Sequence, residues 1–215
     1  MNNGTACWRS PTDDAFPEPS RTLEETDRIR GFVAVLLDGA VLEELQVVQR
    51  LLKDRLPEGL RWARAEQLHL TLQFLGDLEP GMLPEAAARL AQACRLHRPF
   101  TLSLAGLGFF PDPRRPRVLW VGLSGEVDQL LHLQSDVSNG VGQFGTHREQ
   151  RAFQPHLTLA RVRPRSRLSP GSWPAADAVN GPRPVPWTVR EVHLMRSELH
   201  PAGARYTILR SVHLA

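Results

Sequence analysis

Two stretches of this chain alternate apolar and polar positions in the same order. Through Glu66–Leu78 the alternation sets Leu68, Leu70, Leu72 and Phe74 on one side of an extended strand and His69, Thr71 and Gln73 on the other. His156-Leu157-Thr158-Leu159 repeats the centre of that pattern, with Leu157 and Leu159 behind and His156 and Thr158 in front. A lone His-x-Thr on a strand is ordinarily just a solvated polar face. Two copies in one chain, with the same leucines, point instead to one shared task.

The remaining pattern frames these strands. Arg30–Leu37 is a short apolar run that reads as a buried strand, closed by Asp38-Gly39. Val41–Leu56 has Leu42, Leu45, Val48, Leu51 and Leu52 at helical spacing. Leu60–Ala63 is a short strand leading to the first motif strand, Leu68–Gly76. Leu83–Leu96 is a second helix, with Pro84 in its first turn. Phe100–Phe109 and Val118–Leu123 are strands around a basic loop that includes Arg114, Arg115 and Arg117. Glu126–Val141 is a third helix, with a break expected near Asn139-Gly140. Thr146–Ala152 is a loop, Phe153–Val162 the second motif strand, and Arg163–Pro186 a long proline-rich loop. Thr188–Leu199 and Arg205–Leu214 close the chain as two strands. Residues 1–28 lack apolar periodicity and are expected to be a disordered extension, with 29–215 forming the folded domain. Strands and helices mix without strict alternation, and no glycine-rich phosphate loop is present. The fold class expected is α+β with largely antiparallel sheet.

Composition adds little. The chain has 215 residues, 41% hydrophobic and 23% charged, which suits a globular protein. A net charge of +3 with a pI near 9.5 is compatible with an anionic ligand. Cys7 and Cys94 make neither a disulfide framework nor a metal or redox pair, so a reducing cytoplasm is the expectation. No apolar run reaches membrane-spanning length.

With its two His-x-Thr motifs and their flanks, the chain resembles the 2H phosphoesterases, and most closely the RNA 2′,3′-cyclic phosphodiesterases (the LigT-like, or ThpR, branch). The flanks are Gly31-Phe32-Val33-Ala34-Val35, Arg115-Pro116-Arg117-Val118-Leu119-Trp120, Phe153-Gln154-Pro155, Leu194-Met195-Arg196-Ser197 and Gly203-Ala204-Arg205-Tyr206. The resemblance implies a bilobal fold, two pseudo-symmetric lobes of antiparallel sheet plus helices around a central cleft. It also implies hydrolysis of RNA 2′,3′-cyclic phosphate ends to 2′-phosphomonoesters, with His69 as proton donor, His156 as proton acceptor, and in-line 2′–5′ ligation as the reverse reaction.

The residues suit that chemistry. Water enters on one side of phosphorus and the leaving oxygen departs on the other. One imidazole takes a proton while the other gives one, and a reference pKa of about 6.5 leaves both forms accessible. Thr71 and Thr158, on the same faces, are placed to donate to non-bridging oxygens. No cofactor is expected, and two histidines without a matching carboxylate or cysteine cluster fall short of a usual metal site.

Candidates for further substrate contact are Arg161, Arg117, Phe32, Phe153 and Tyr206, with a solvated loop the other reading of Arg117 and a structural hydrogen bond that of Tyr206. Arg161 completes the branch's His-x-Thr-x-x-Arg pattern, yet strict alternation sets it on the face opposite His156, so contact with phosphate requires a bend. Phe32 and Phe153 either stack on a base or pack in the core. His97, His132, His147, His193, His200 and His213 lack a Thr two residues on and read as surface or structural. The partners expected are RNA ends or nucleotides bearing 2′,3′-cyclic phosphate, with no membrane and no obligate protein partner, the chain acting as a monomer. Alternative readings are a 2H phosphodiesterase for small cyclic nucleotides such as ADP-ribose 1″,2″-cyclic phosphate or for 2′–5′ oligonucleotides, and a non-catalytic RNA-end binding module.

Overall fold

Strand β1 (Ile29–Leu36) leads into helix α1 (Gly39–Lys53), which Asp38 caps by accepting from the Val41 N–H at 2.9 Å. The computed structural model describes residues 28–215 apart from 57, 114, 148–150, 164–180 and 202. Strand β2 (Leu60–Trp62) and a 3-10 turn (Ala65–Gln67) deliver the chain to β3 (His69–Leu78). Helix α2 (Leu83–Cys94) connects to β4 (Phe100–Phe110) and β5 (Val118–Gly125), and helix α3 (Val127–Val141) follows. Strand β6 (Leu157–Val162) carries the second motif, with β7 (Pro186–Val189), β8 (Glu191–Glu198) and β9 (Arg205–His213) last.

These strands form one antiparallel sheet in the order β7-β4-β5-β6-β3-β1-β8-β9, with β2 added on β6. The order is mirrored about its centre, so each half places its motif strand innermost. The halves meet through the register pair Leu70–Leu157. The α+β architecture of two antiparallel lobes is therefore present, with both lobes drawn from a single sheet. Helices cover its back. Leu45 and Leu52 of α1, Leu90 of α2 and Leu130 and Leu133 of α3 are buried there with the motif leucines Leu70, Leu72, Leu157 and Leu159. Full burial of each such side chain contributes about 1.5–3 kcal/mol. A smaller apolar cluster of Phe32, Ala34 and Met195, with Tyr206 beside it, lies on the opposite face.

Several expectations need correction. Helix α3 runs unbroken through Asn139-Gly140. Gly140 faces α2, and a Cβ there would meet the Arg89 carbonyl oxygen at 3.4 Å, an ordinary contact distance. The expected strand 188–199 is two strands, β7 and β8, separated at Arg190 and joined to different neighbours, β4 and β9. The second motif strand begins at Leu157, one residue after its histidine. The N-terminal extension, and most of the proline-rich loop, lie outside the described residues.

The correction that matters most concerns alternation. On β3, Ala34 pairs with Thr71 and Val33 with Gln73, so Leu72 is an extra, bulged residue. On β6, Trp120 pairs with Thr158 and Leu119 with Ala160, so Leu159 is bulged likewise. One inserted residue reverses which face the following side chains occupy. Gln73, expected beside His69, is buried behind the sheet, while Phe74 comes forward opposite Phe32. Arg161 comes forward by the same device, which supplies the bend its contact required.

Candidate active site

The forward face of the two central strands is the floor of a cleft of about 670 Å³. His69, Thr71, His156, Thr158 and Arg161 all line it, together with Phe32 and Tyr206. Continuing the Leu70–Leu157 register one step in each direction sets His69 across from Thr158 and Thr71 across from His156. Each imidazole is thus served by its own threonine and faces that of the other copy.

Both rings are held in the same way. His69 Nδ1 lies 2.8 Å from the Gln67 carbonyl oxygen, and His156 Nδ1 lies 2.7 Å from that of Gln154. A carbonyl only accepts, so each Nδ1 carries the hydrogen and each Nε2 is left to exchange a proton. His69 sits against Phe32, with centroids 4.9 Å apart, and edge-on to Tyr206 at 5.2 Å. His156 meets Phe110 edge-on at 4.9 Å and Trp120 at 6.3 Å. Burial pushes the His69 pKa down to about 4, against the pull of the Gln67 carbonyl and with help from the Arg161 charge. Burial lowers His156 too, again with Arg161 contributing. Both rings are therefore neutral at pH 7 in the empty cleft.

The electrostatics of the walls favour anions. Arg30, Arg61, Arg64 and Arg161 line the cleft, and among the described residues its lining includes no Asp or Glu. Arg61 pairs with Arg161 across β2 and β6. Burial, and to a smaller extent the charge of Arg61, lower the Arg161 pKa, while Tyr206 acts in the other direction. Arg64 is also bound to Glu66 at 2.8 Å. The turn before His69 is locked by Gln67, whose Oε1 accepts from the Arg64 N–H at 3.0 Å and whose Nε2 donates to the Ala204 carbonyl at 2.8 Å. That bond ties the β8–β9 turn, which forms part of the rim, to the residue whose carbonyl orients His69.

The other expected contacts separate. Phe153 packs against the core, and Arg117 is an exposed loop residue; neither lines the cleft. Phe32 is 3% exposed and serves as a floor under His69. His147, read as surface or structural, lines the cleft with its ring 6.2 Å from that of Phe74. His97 and His193 are structural, bound to Asp136 at 2.8 Å and Ser211 at 3.0 Å. Sequence reading missed Phe74, Arg61, Arg64 and Gln67. Proximity to the first motif was the available signal for all four. The bulge hid Phe74, which is 47% exposed in the cleft.

This arrangement places two imidazoles, two hydroxyls and a guanidinium in one cleft, groups able to transfer protons and to donate to an anion as in-line phosphoryl chemistry requires. Comparison with known proteins agrees. The chain is 34% identical over 84% of its length to an RNA 2′,3′-cyclic phosphodiesterase of Methanothermobacter thermautotrophicus, covering 96% of that protein. It is 34% identical over 86% of its length to the enzyme of the same name from Thermus thermophilus, covering 90% of it. Among solved structures, Escherichia coli LigT in complex with 3′-AMP is similar with a TM-score of 0.69 at 25% identity, over 88% of this chain and 99% of that one. The family profile of the 2′-5′ RNA ligase superfamily matches residues 37–201, and the chain belongs to that family.

Proposed function

We propose that this chain hydrolyses RNA ends bearing 2′,3′-cyclic phosphate to 2′-phosphomonoesters. The observation that carries this reading is the pair of imidazoles on adjacent strands of one cleft, each with Nδ1 committed to a carbonyl and Nε2 left free to exchange a proton. The names of the relatives support the substrate class. Water attacks phosphorus and loses a proton to His156 Nε2, while the bond to the 3′ oxygen breaks and that oxygen takes the proton of His69 Nε2. Thr71, Thr158 and Arg161 hold the non-bridging oxygens as charge builds. His69 must be cationic to act as the acid, and its low pKa in the empty cleft opposes this. The bound phosphodiester anion offsets that effect by neutralising Arg161 and favouring the imidazolium. Attack by a 5′-hydroxyl in place of water, with the same 3′ oxygen leaving, gives 2′–5′ ligation. The cleft wall carrying Arg61 and Arg64 suits the next phosphate of a polymer. The chain acts on this reading as a cytoplasmic monomer.

The test is incubation with EDTA and an oligonucleotide ending in 2′,3′-cyclic phosphate, with the product identified by mass and by phosphatase sensitivity. A 2′-phosphomonoester is expected. Binding without turnover would instead make the cleft an RNA-end binding module.

A further inference from the structure

At each of the two bulges a carbonyl oxygen accepts from a glutamine amide, and the two glutamines come from different helices. On β6 the Leu159 carbonyl oxygen accepts from the Ala63 N–H at 2.8 Å and from Gln49 Nε2 of α1 at 3.1 Å. Gln49 Nε2 also donates to the Ala63 carbonyl at 2.8 Å, and the residue is 5% exposed. On β3 the Leu72 carbonyl oxygen accepts from Gln134 Nε2 of α3 at 3.2 Å. Neither glutamine lines the cleft.

A bulged residue breaks the regular ladder on one side; at Leu159 the Gln49 amide adds a second donor to that of the Ala63 N–H, and at Leu72 the donor from a helix is the Gln134 amide. Both donors bind at the fourth residue of His-Leu-Thr-Leu, the position at which facing is reversed. We propose that Gln49 and Gln134 are positioning residues: Gln49 holds the β6 bulge that keeps Arg161 in the cleft, and Gln134 holds the β3 bulge that keeps Phe74 there. Without the amide donor, regular pairing competes with the bulge, and regular pairing sends the fifth residue after the histidine to the back face. The two braces act independently, because they belong to different helices and different halves of the sheet. Only the ligand readout rests on the proposed function.

The test uses the full chain and the variants Gln49→Met and Gln134→Met, which keep length and lose the N–H donors. Inorganic phosphate and 2′-AMP are titrated by calorimetry, and double-mutant cycles are closed with Arg161→Met and Phe74→Ala. Gln49→Met is expected to weaken phosphate binding about tenfold and to add almost nothing further in the Arg161→Met background, while combining additively with Phe74→Ala. Gln134→Met is expected to leave phosphate binding within about twofold and to remove most of the extra affinity of 2′-AMP, non-additively with Phe74→Ala only. A general loss of melting temperature with additive cycles on both sides would reduce the glutamines to scaffold and overturn the inference. Should Gln49→Met fail to fold, the Gln134 arm decides, since that side chain is only partly buried. Phosphate affinity needs no turnover. A protein inactive on cyclic phosphate ends that still showed this coupling would refute the substrate and leave the braces in place.

Discussion

The two motif strands share four residues and one backbone event, and they part company at the residue that event brings forward. The bulge on β3 presents Phe74, and the bulge on β6 presents Arg161. One half of the cleft thus ends in an aromatic edge suited to a base, the other in a cation suited to a phosphate. The histidines diverge as well. His69 is packed between Phe32 and Tyr206, whereas His156 has its Nδ1 bond in an exposed position and meets Phe110 and Trp120. Repetition supplies a matched pair of imidazoles; what surrounds each copy makes the pair unequal.

The largest expected effect tests the matched part. His69→Ala and His156→Ala should each lower kcat by roughly 10²- to 10⁴-fold with the fold retained, measured by single-turnover kinetics and circular dichroism. Near-normal turnover in either variant would break the pairing. Next comes the unmatched part. Arg161→Met should weaken binding of the cyclic phosphate by about ten- to a hundredfold, as for a lost charge-assisted hydrogen bond of about 1.5–3 kcal/mol, and should reduce the salt dependence of KM.

The pH profile sharpens the comparison further. Burial and Arg161 lower both imidazoles, His69 to about 4, so the singly protonated pair is most populated in the free protein below pH 6.5. The maximum of kcat/KM is expected on that acid side, with a decline approaching tenfold per pH unit above it. The kcat profile should lie at higher pH, because the bound anion favours the imidazolium. A kcat/KM maximum at or above pH 7.5 would contradict the shared desolvation. Phe74→Ala should cost about five- to tenfold in affinity for a nucleotide and leave inorganic phosphate nearly unaffected, consistent with the lower end of ~1–3 kcal/mol for base stacking. The smallest effect belongs to Arg117→Gln, outside the cleft, where KM should move by less than about twofold; a larger change would extend the substrate path over the β4–β5 loop.

The sequence made the pairing legible because a two-residue period with buried leucines leaves few other structures open to it. It did not reveal the bulges. An inserted residue needs no special side chain, and Leu72 and Leu159 look like ordinary members of the alternation. Every misplacement on β3 follows from that. Strict alternation puts Gln73 forward and Phe74 behind, and the fold has the reverse. Nothing local in the sequence marks Gln49 or Gln134, because their partners are carbonyls on distant strands. Phe153 and Arg117 belong to flanking patterns that serve the core and a loop. Their types suggested ligand contact, but only the folded chain separates floor, wall and exterior.

The seam between the halves has a mechanical consequence. Leu70 and Leu157 are the register pair through which β3 meets β6, and the strands leave it toward different neighbours. The two imidazoles project from either side of this joint like the jaws of calipers. Their relative placement therefore rests on one backbone pairing between residues whose side chains are buried behind the sheet. A change that loosens this joint would shift one imidazole against the other while leaving every side chain that lines the cleft as it was.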